Sequence, residues 1–205
     1  MTFEETLSKA TILKIRQIRE LAELFGFESV NKFSIETEDG RQIAFAAEEG
    51  RGVLGWLLRQ FLGHWRTFSI VIVDPQGREI LRAKHPFRFY FQSLEVRGPS
   101  GEMYGAMQQR FSILSKRFDV EDATGSVVMT VNSPLLRLWT FPVLKGAQQV
   151  ACVKKRWGGL LKEAFLDADT FAIELTDETL TFQERALLVA AGIFIDLQYF
   201  ERKAR

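Results

Sequence analysis

The sequence predicts a mainly β protein: an antiparallel closed barrel of about twelve strands around a buried hydrophobic C-terminal helix. Three observations lead there: a recurring hairpin unit, further alternating runs at similar intervals, and one uncharged apolar stretch, residues 186–195, that needs a container. At 205 residues a single domain over 1–205 is expected, with the barrel over 12–178 and the central helix over 181–201.

Taken in order, residues 13–17 alternate as a strand and residues 18–25, closed by Gly26, read as a short helix, although the pattern from Ile12 onward also suits one longer helix. An aromatic-led alternating run, a turn and a second alternating run then recur. The copies are Phe33-Ser-Ile-Glu-Thr-Glu-Asp-Gly40 into Ile43, Phe68-Ser-Ile-Val-Ile-Val-Asp-Pro-Gln-Gly77 into Ile80, and Phe118-Asp-Val-Glu-Asp-Ala-Thr-Gly125 into Val128. Trp139-Thr-Phe-Pro-Val143, turning at Lys145-Gly146 into Val150, is a looser fourth. Asp-Gly and Asp-Pro-x-Gly between alternating runs are hairpin signals, because Gly supplies the positive φ that such turns require. Residues 94–97, 103–109 and 170–174 supply further strands. The apolar run, extended to Phe200, admits Asp196 and Gln198. As a helix it is about 22 Å long, short of the roughly 30 Å hydrocarbon core of a bilayer, and it reads as the plug of a barrel too wide for its own side chains to fill. A T-x-x-E capping box, Thr181 to Glu184, starts it, and Arg202, Lys203 and Arg205 complement its C-terminal dipole.

Lys+Arg 27 against Asp+Glu 26 leaves net +1, so no global charge draws nucleic acid or an acidic substrate, and any basic surface must be local. The single cysteine, Cys152, excludes an internal disulfide framework and a cysteine-based zinc site; it fits a reducing compartment and, in an apolar alternating strand, inert packing. His64 and His85 have no neighbours in a nucleophile or metal pattern. No triad, phosphate-cradling loop or acid/base pair stands out, so no enzyme is expected. The start, Met1-Thr2-Phe3-Glu4-Glu5, has no basic stretch leading into an apolar core, so a cytoplasmic chain is expected.

Longer stretches carry a resemblance. Leu24-Phe-Gly-Phe-Glu28, Asn31-Lys-Phe33, Phe45-Ala-Ala-Glu48, Lys155-Arg-Trp-Gly-Gly159 with Lys162-Glu-Ala-Phe165, Asp167-Ala-Asp-Thr-Phe171 and Phe194-Ile-Asp-Leu-Gln-Tyr-Phe-Glu201 are similar to the phospholipid scramblase family, of the tubby C-terminal-like superfamily. The resemblance implies a twelve-stranded barrel around a hydrophobic helix, in agreement with the strand count. It also implies calcium-activated, ATP-independent movement of phospholipids between bilayer leaflets. Animal members carry a Pro-rich N-terminal extension, a tail beyond the helix and palmitoylated cysteine clusters. This sequence shows none of them, and the regulation that depends on them is not expected.

The resemblance places a calcium segment at residues 167–178, with Asp167, Asp169, Phe171, Ile173 and Glu178 at the ligand positions. Calcium takes six to eight oxygens at about 2.3–2.6 Å, so the carboxylates suit it, while Phe171 and Ile173 can offer only backbone carbonyls. A strict EF-hand wants an oxygen side chain at its fifth position and Gly at its sixth; Phe171 and Ala172 stand there. Binding is expected to be weak. The competing reading makes Phe171, Ile173 and Leu175 one inward face of a strand, with Asp167 and Asp169 in the preceding turn.

Residues 52–66, Gly-Val-Leu-Gly-Trp-Leu-Leu-Arg-Gln-Phe-Leu-Gly-His-Trp-Arg, place Val53, Leu54, Leu57, Leu58 and Phe61 on one helical face. Trp56 and Trp65 flank that face, and Arg51, Arg59 and Arg66 are available to lipid phosphates. They stand where relatives resemble one another in a cysteine cluster, as do Phe87-Arg-Phe-Tyr-Phe91 and Leu135-Leu-Arg-Leu-Trp139. Aromatics and leucines are thus expected to replace acyl chains as the anchor to an anionic phospholipid membrane; the alternative is a helix packed across an open barrel end. Lys154-Lys-Arg-Trp-Gly158 reads as a solvated strand edge. Asp196 reads as a satisfied buried carboxylate or one at the barrel rim, because an isolated buried charge costs several kcal/mol. The expected protein is peripheral, on the cytoplasmic side of a membrane with a soluble pool, and binds no nucleic acid. Its rival is a non-transporting lipid-binding or scaffold module, since a helix buried in a barrel cannot also line a path through a bilayer.

Overall fold

The computed structural model describes residues 2–18, 29–49, 67–88, 90–113, 115–134, 140–155 and 170–200. Twelve strands follow one another: β1 (Ile12–Gln17), β2 (Ser29–Thr37), β3 (Gln42–Glu49), β4 (Phe68–Val73), β5 (Glu79–His85), β6 (Ser93–Arg97), β7 (Met103–Arg110), β8 (Ser115–Asp122), β9 (Val127–Pro134), β10 (Thr140–Lys145), β11 (Gln148–Lys154) and β12 (Thr170–Leu175). Each pairs antiparallel with its neighbours in sequence, and β1 pairs with β12 as well as β2, which closes the barrel. Two helices complete it, α1 (Phe3–Lys9) and α2 (Phe182–Ile195), the latter continuing into a π-helical turn, Asp196–Phe200.

The predicted hairpins form at the predicted turns, with Gly40, Gly77, Gly125 and Gly146 all at positive φ. The alternative of one helix from Ile12 fails because period two wins. Leu13 and Ile15 are fully buried, and Arg16 turns outward to Glu36 of β2 at 3.3 Å. The same alternation sends Phe33, Ile35, Phe118, Val120, Phe141, Phe171 and Ile173 into the lumen.

α2 fills that lumen. Its residues 186–195 are buried apart from no more than a few per cent of any side chain, so apolar residues on every face are an advantage here rather than a liability. Each buried Leu, Ile, Val or Phe contributes about 1.5–3 kcal/mol. The fit is close: a Cβ on Gly192 would stand 2.8 Å from Ile173 Cδ1 and 3.1 Å from Phe171 Cε2, so glycine lets the helix lie against β12. Phe194 meets Phe68 and Phe118, at ring distances of 6.3 and 6.4 Å.

The helix starts at the expected capping box, with Thr181 Oγ1 accepting from the Glu184 amide and Glu184 Oε2 accepting from the Thr181 amide. A second box of the same kind, Thr2 with Glu5, starts α1, an element the sequence reading passed over although Thr2-Phe3-Glu4-Glu5 spells the signal. α1 closes one end of the barrel. Its Leu7 is fully buried, and the Arg185 guanidinium of α2 donates to the carbonyls of Leu7 at 3.2 Å and Ala10 at 2.7 Å, as well as to Leu180 and Asp177. Burial pushes the Arg185 pKa down, opposed by the negative charges of Asp177 and Glu178.

Candidate functional site

Strand direction sorts the connections between two ends. The links after β2, β4, β6, β8 and β10 and the exit from β12 lie at one, beside α1; these are tight turns. The links after β1, β3, β5, β7, β9 and β11 leave from the other, here called the loop end.

At the loop end, residues 86–92 join β5 to β6 and residues 111–114 join β7 to β8. The first connection exposes Phe87 at 42%, Tyr90 at 86% and Phe91 at 49%; the second exposes Phe111 at 74% and Ile113 at 75%. Of the large hydrophobics left exposed among the described residues, only Val127 lies elsewhere. The two loops are tied side by side, with the Gln109 amide donating to the Gln92 carbonyl at 2.8 Å and the Gln92 amide donating to Gln109 Oε1 at 3.1 Å. Large apolar side chains gathered on neighbouring tips, outside a core that needs none of them, mark a contact surface.

Just inside that end, inward positions turn from apolar to polar. Gln17 donates to Asn31 and Asn31 donates to the buried Glu48 carboxylate at 2.7 Å, linking three adjacent strands. His85 is fully buried beside Phe68 and Phe194, with Nδ1 at the Ser93 carbonyl. Lys155, immediately after β11, reaches inward to Asp196 at 3.2 Å, where α2 gives way to its π turn. Asp196 is therefore a satisfied buried carboxylate, as expected. The basic run is not simply a solvated edge, because Lys155 belongs to the barrel mouth and Lys154 pairs with Glu174 across the sheet.

Of the residues expected to hold calcium, Phe171, Ile173 and Glu178 are described, and they separate. Phe171 and Ile173 are fully buried against α2, and Ile173 sits in a strand paired on both sides, whose carbonyls serve the sheet ladders. Glu178 is exposed in the turn before α2, at the far end of the barrel from the start of β12. These three form no calcium cage by themselves, and Phe171, Ile173 and Leu175 form the inward face of the competing reading; Asp167 and Asp169 lie outside the described residues. Among the described residues no group of three or more His, Cys, Asp or Glu side chains is placed to hold a metal ion.

The expected membrane-contact set, Val53, Trp56, Leu57, Arg59, Phe61, Trp65 and Arg66, also lies outside the described residues, as does the run at 135–139. The strand ends that bracket them are described, however. Glu49 and Phe68, Pro134 and Thr140, and Lys155 and Thr170 all lie at the loop end, the end that exposes Phe87, Tyr90 and Phe91. The sequence reading missed Phe111 and Ile113. Their signal is an apolar Phe-x-Ile pair in a short gap between alternating strands, where turn residues would be ordinary. At the opposite end a groove of about 600 Å³ runs between α1 and the hairpin turns, lined in part by Phe3, Arg41, Arg78, Tyr104 and Phe182.

A barrel closed by its first and last strands, filled by its own C-terminal helix, is the fold that the tubby-like resemblance implies. The family model described as Scramblase matches residues 2–202. The chain belongs to the Scramblase family. Human Phospholipid scramblase 2 is 30% identical over 213 residues, covering 97% of this chain and 70% of the relative. Human Phospholipid scramblase 1 is 29% identical, covering 96% and 65%. Altered inheritance rate of mitochondria protein 25 of Saccharomyces cerevisiae is 25% identical, covering 97% and 73%. In this scramblase-family chain no helix among the described residues is long and apolar enough to cross a membrane.

Proposed function

We propose that this protein acts peripherally on phospholipid membranes, docking through the loop end of its barrel, and that it promotes calcium-activated, ATP-independent transbilayer movement of phospholipids. The family supports the lipid partner, since its relatives are named for phospholipids. The observation that carries the docking is the exposure of Phe87, Tyr90 and Phe91 on one loop at the end where the strands flanking residues 50–66 and 135–139 also terminate. Tyrosine and phenylalanine with a nearby arginine suit the bilayer interface, where an apolar ring and a polar headgroup are both within reach. Calcium dependence in this reading rests on Asp167 and Asp169. The movement makes and breaks no covalent bond.

A second reading, a non-transporting lipid-binding or scaffold module, is favoured by the burial of α2 in the barrel, which leaves it no lipid-facing surface. Reconstitution into vesicles labelled in both leaflets separates the two. Bleaching of inner-leaflet probe by an impermeant reductant, only with protein and calcium, is the outcome expected for transport. Vesicle binding without inner-leaflet bleaching assigns the protein to the module, and no vesicle binding sinks both.

A further inference from the structure

We infer that the barrel stands end-on on an anionic bilayer, with the β7–β8 tip, Phe111 and Ile113, inserted beside the β5–β6 loop and the α1 end turned away from the lipid. The inference rests on the lipid-docking reading and adds to it an orientation and two residues.

Three observations carry it. Among the described residues Phe111 and Ile113 are the most exposed large hydrophobic side chains after Tyr90, and the paired Gln92 and Gln109 hold their loop against the one bearing Phe87, Tyr90 and Phe91. Both connections therefore present their tips in one direction, beyond the barrel wall. Charge is sorted along the same axis although the chain is nearly neutral. Residues 86–92 and 110–117 carry Arg88, Arg110, Lys116 and Arg117 and no carboxylate. On the wall behind this rim, Asp119 is shared by Arg110 and Arg117, Glu121 also meets Arg110, and Arg88 is exposed. The turns at the opposite end carry Glu38, Asp39, Asp74, Glu102, Asp122, Asp177 and Glu178 against Arg41, Arg78 and Lys145. An anionic surface attracts the first end and repels the second, so the charge distribution and the apolar tips select the same orientation. Thirdly, the barrel turns polar just inside the same end, where Gln17, Asn31 and Glu48 are linked across β1, β2 and β3, which suits the depth of lipid headgroups rather than that of acyl chains. Neighbouring aromatic and aliphatic tips with basic flanks fit an anionic lipid interface.

The test is a fluorescence comparison in a Cys152→Ala background. An environment-sensitive label is placed at Ile113→Cys, on the proposed inserted tip, or at Ala123→Cys, an exposed position in the β8–β9 turn at the acidic end. Vesicles of mixed phosphatidylcholine and phosphatidylserine are added, with phosphatidylcholine vesicles as the uncharged control. The expected result is a blue shift at position 113, none at position 123, and a shift that weakens with added salt. Phe111→Ser/Ile113→Ser, with unchanged circular dichroism, is expected to weaken flotation with the anionic vesicles by at least about tenfold, the loss for even one large apolar side chain returned to water. Vesicle binding without a shift at 113, or with an equal shift at 123, overturns the orientation and leaves the lipid reading standing. A change of oligomeric state in the double variant with unchanged flotation makes the tip a contact between copies and also overturns it. Failure of the unlabelled protein to bind any vesicle overturns the lipid reading itself.

Discussion

Asp196 and Lys155 form one of the pairs by which the fold places charge where the core would otherwise be apolar. Asp196 is 2% exposed and Lys155 Nζ lies 3.2 Å from its carboxylate. A buried pair of this kind contributes little net stability against an apolar substitute, but removing one partner takes the matching charge away from the other. Lys155→Met is expected to lower stability by about 3–5 kcal/mol, and Lys155→Met/Asp196→Leu to recover a large part of the loss. Urea denaturation of the two single variants, the double variant and the parent measures the coupling. Additive losses would mean that the contact contributes no coupling and that each residue is held by other neighbours.

At the scale of elements, α2 is fixed by its ends as well as by its burial. Glu184 caps the Thr181 amide and accepts from Lys145 at 2.7 Å. Burial works against its charged form, but the Lys145 hydrogen bond and the Thr181 amide outweigh it and hold the carboxyl below its ordinary 4.5. A carboxyl depressed on folding stabilises fully above its unfolded value and loses that contribution as pH falls through the lower folded value. Glu184→Ala is therefore expected to cost about 0.5–2 kcal/mol at neutral pH, in the range of lost caps. The gap to the parent protein narrows on acidification, starting below that ordinary value of 4.5. Urea midpoints at neutral pH and in acid test this, and a gap that stays constant would assign the loss to packing alone. The end of the barrel beside α1 is secured differently: Arg185 uses one guanidinium to satisfy four carbonyls from α1 and the turn before α2, a structural task that its place in the sequence does not advertise.

At the scale of the molecule, closure leaves the sheet no edge strand, and it depends on β1 meeting β12 across most of the chain. Such non-local pairing makes opening a collective event. Cys152 reports on it, being the one cysteine of the sequence, 2% exposed, and on a strand paired on both sides. Its thiol is expected to resist labelling in the native state and to react at a rate that rises with denaturant in step with global unfolding. Fast labelling without denaturant would point to local opening between β10 and β12. The same axis that organises closure separates a basic, aromatic end from an acidic one, a polarity invisible in a net charge of +1.

The sequence by itself determined the strands, their turns, the plug and the family, because each is written in local signals: period two, glycine turns, a capping box, an uncharged run and motifs spread over most of the chain. The partner of Asp196 and the α1 partners of Arg185 were not legible, since they come from residues 41 positions away in one case and more than 170 in the other. Of the exposed apolar residues at the loop end, Phe87, Tyr90 and Phe91 are legible in the sequence and Phe111 and Ile113 are not, because an apolar residue in a short gap reads as core until the packed barrel shows it left outside. Only the tertiary structure decided which end each loop occupies. Strand direction alternates through the closed sheet, and that alternation gathers segments far apart in sequence onto one face.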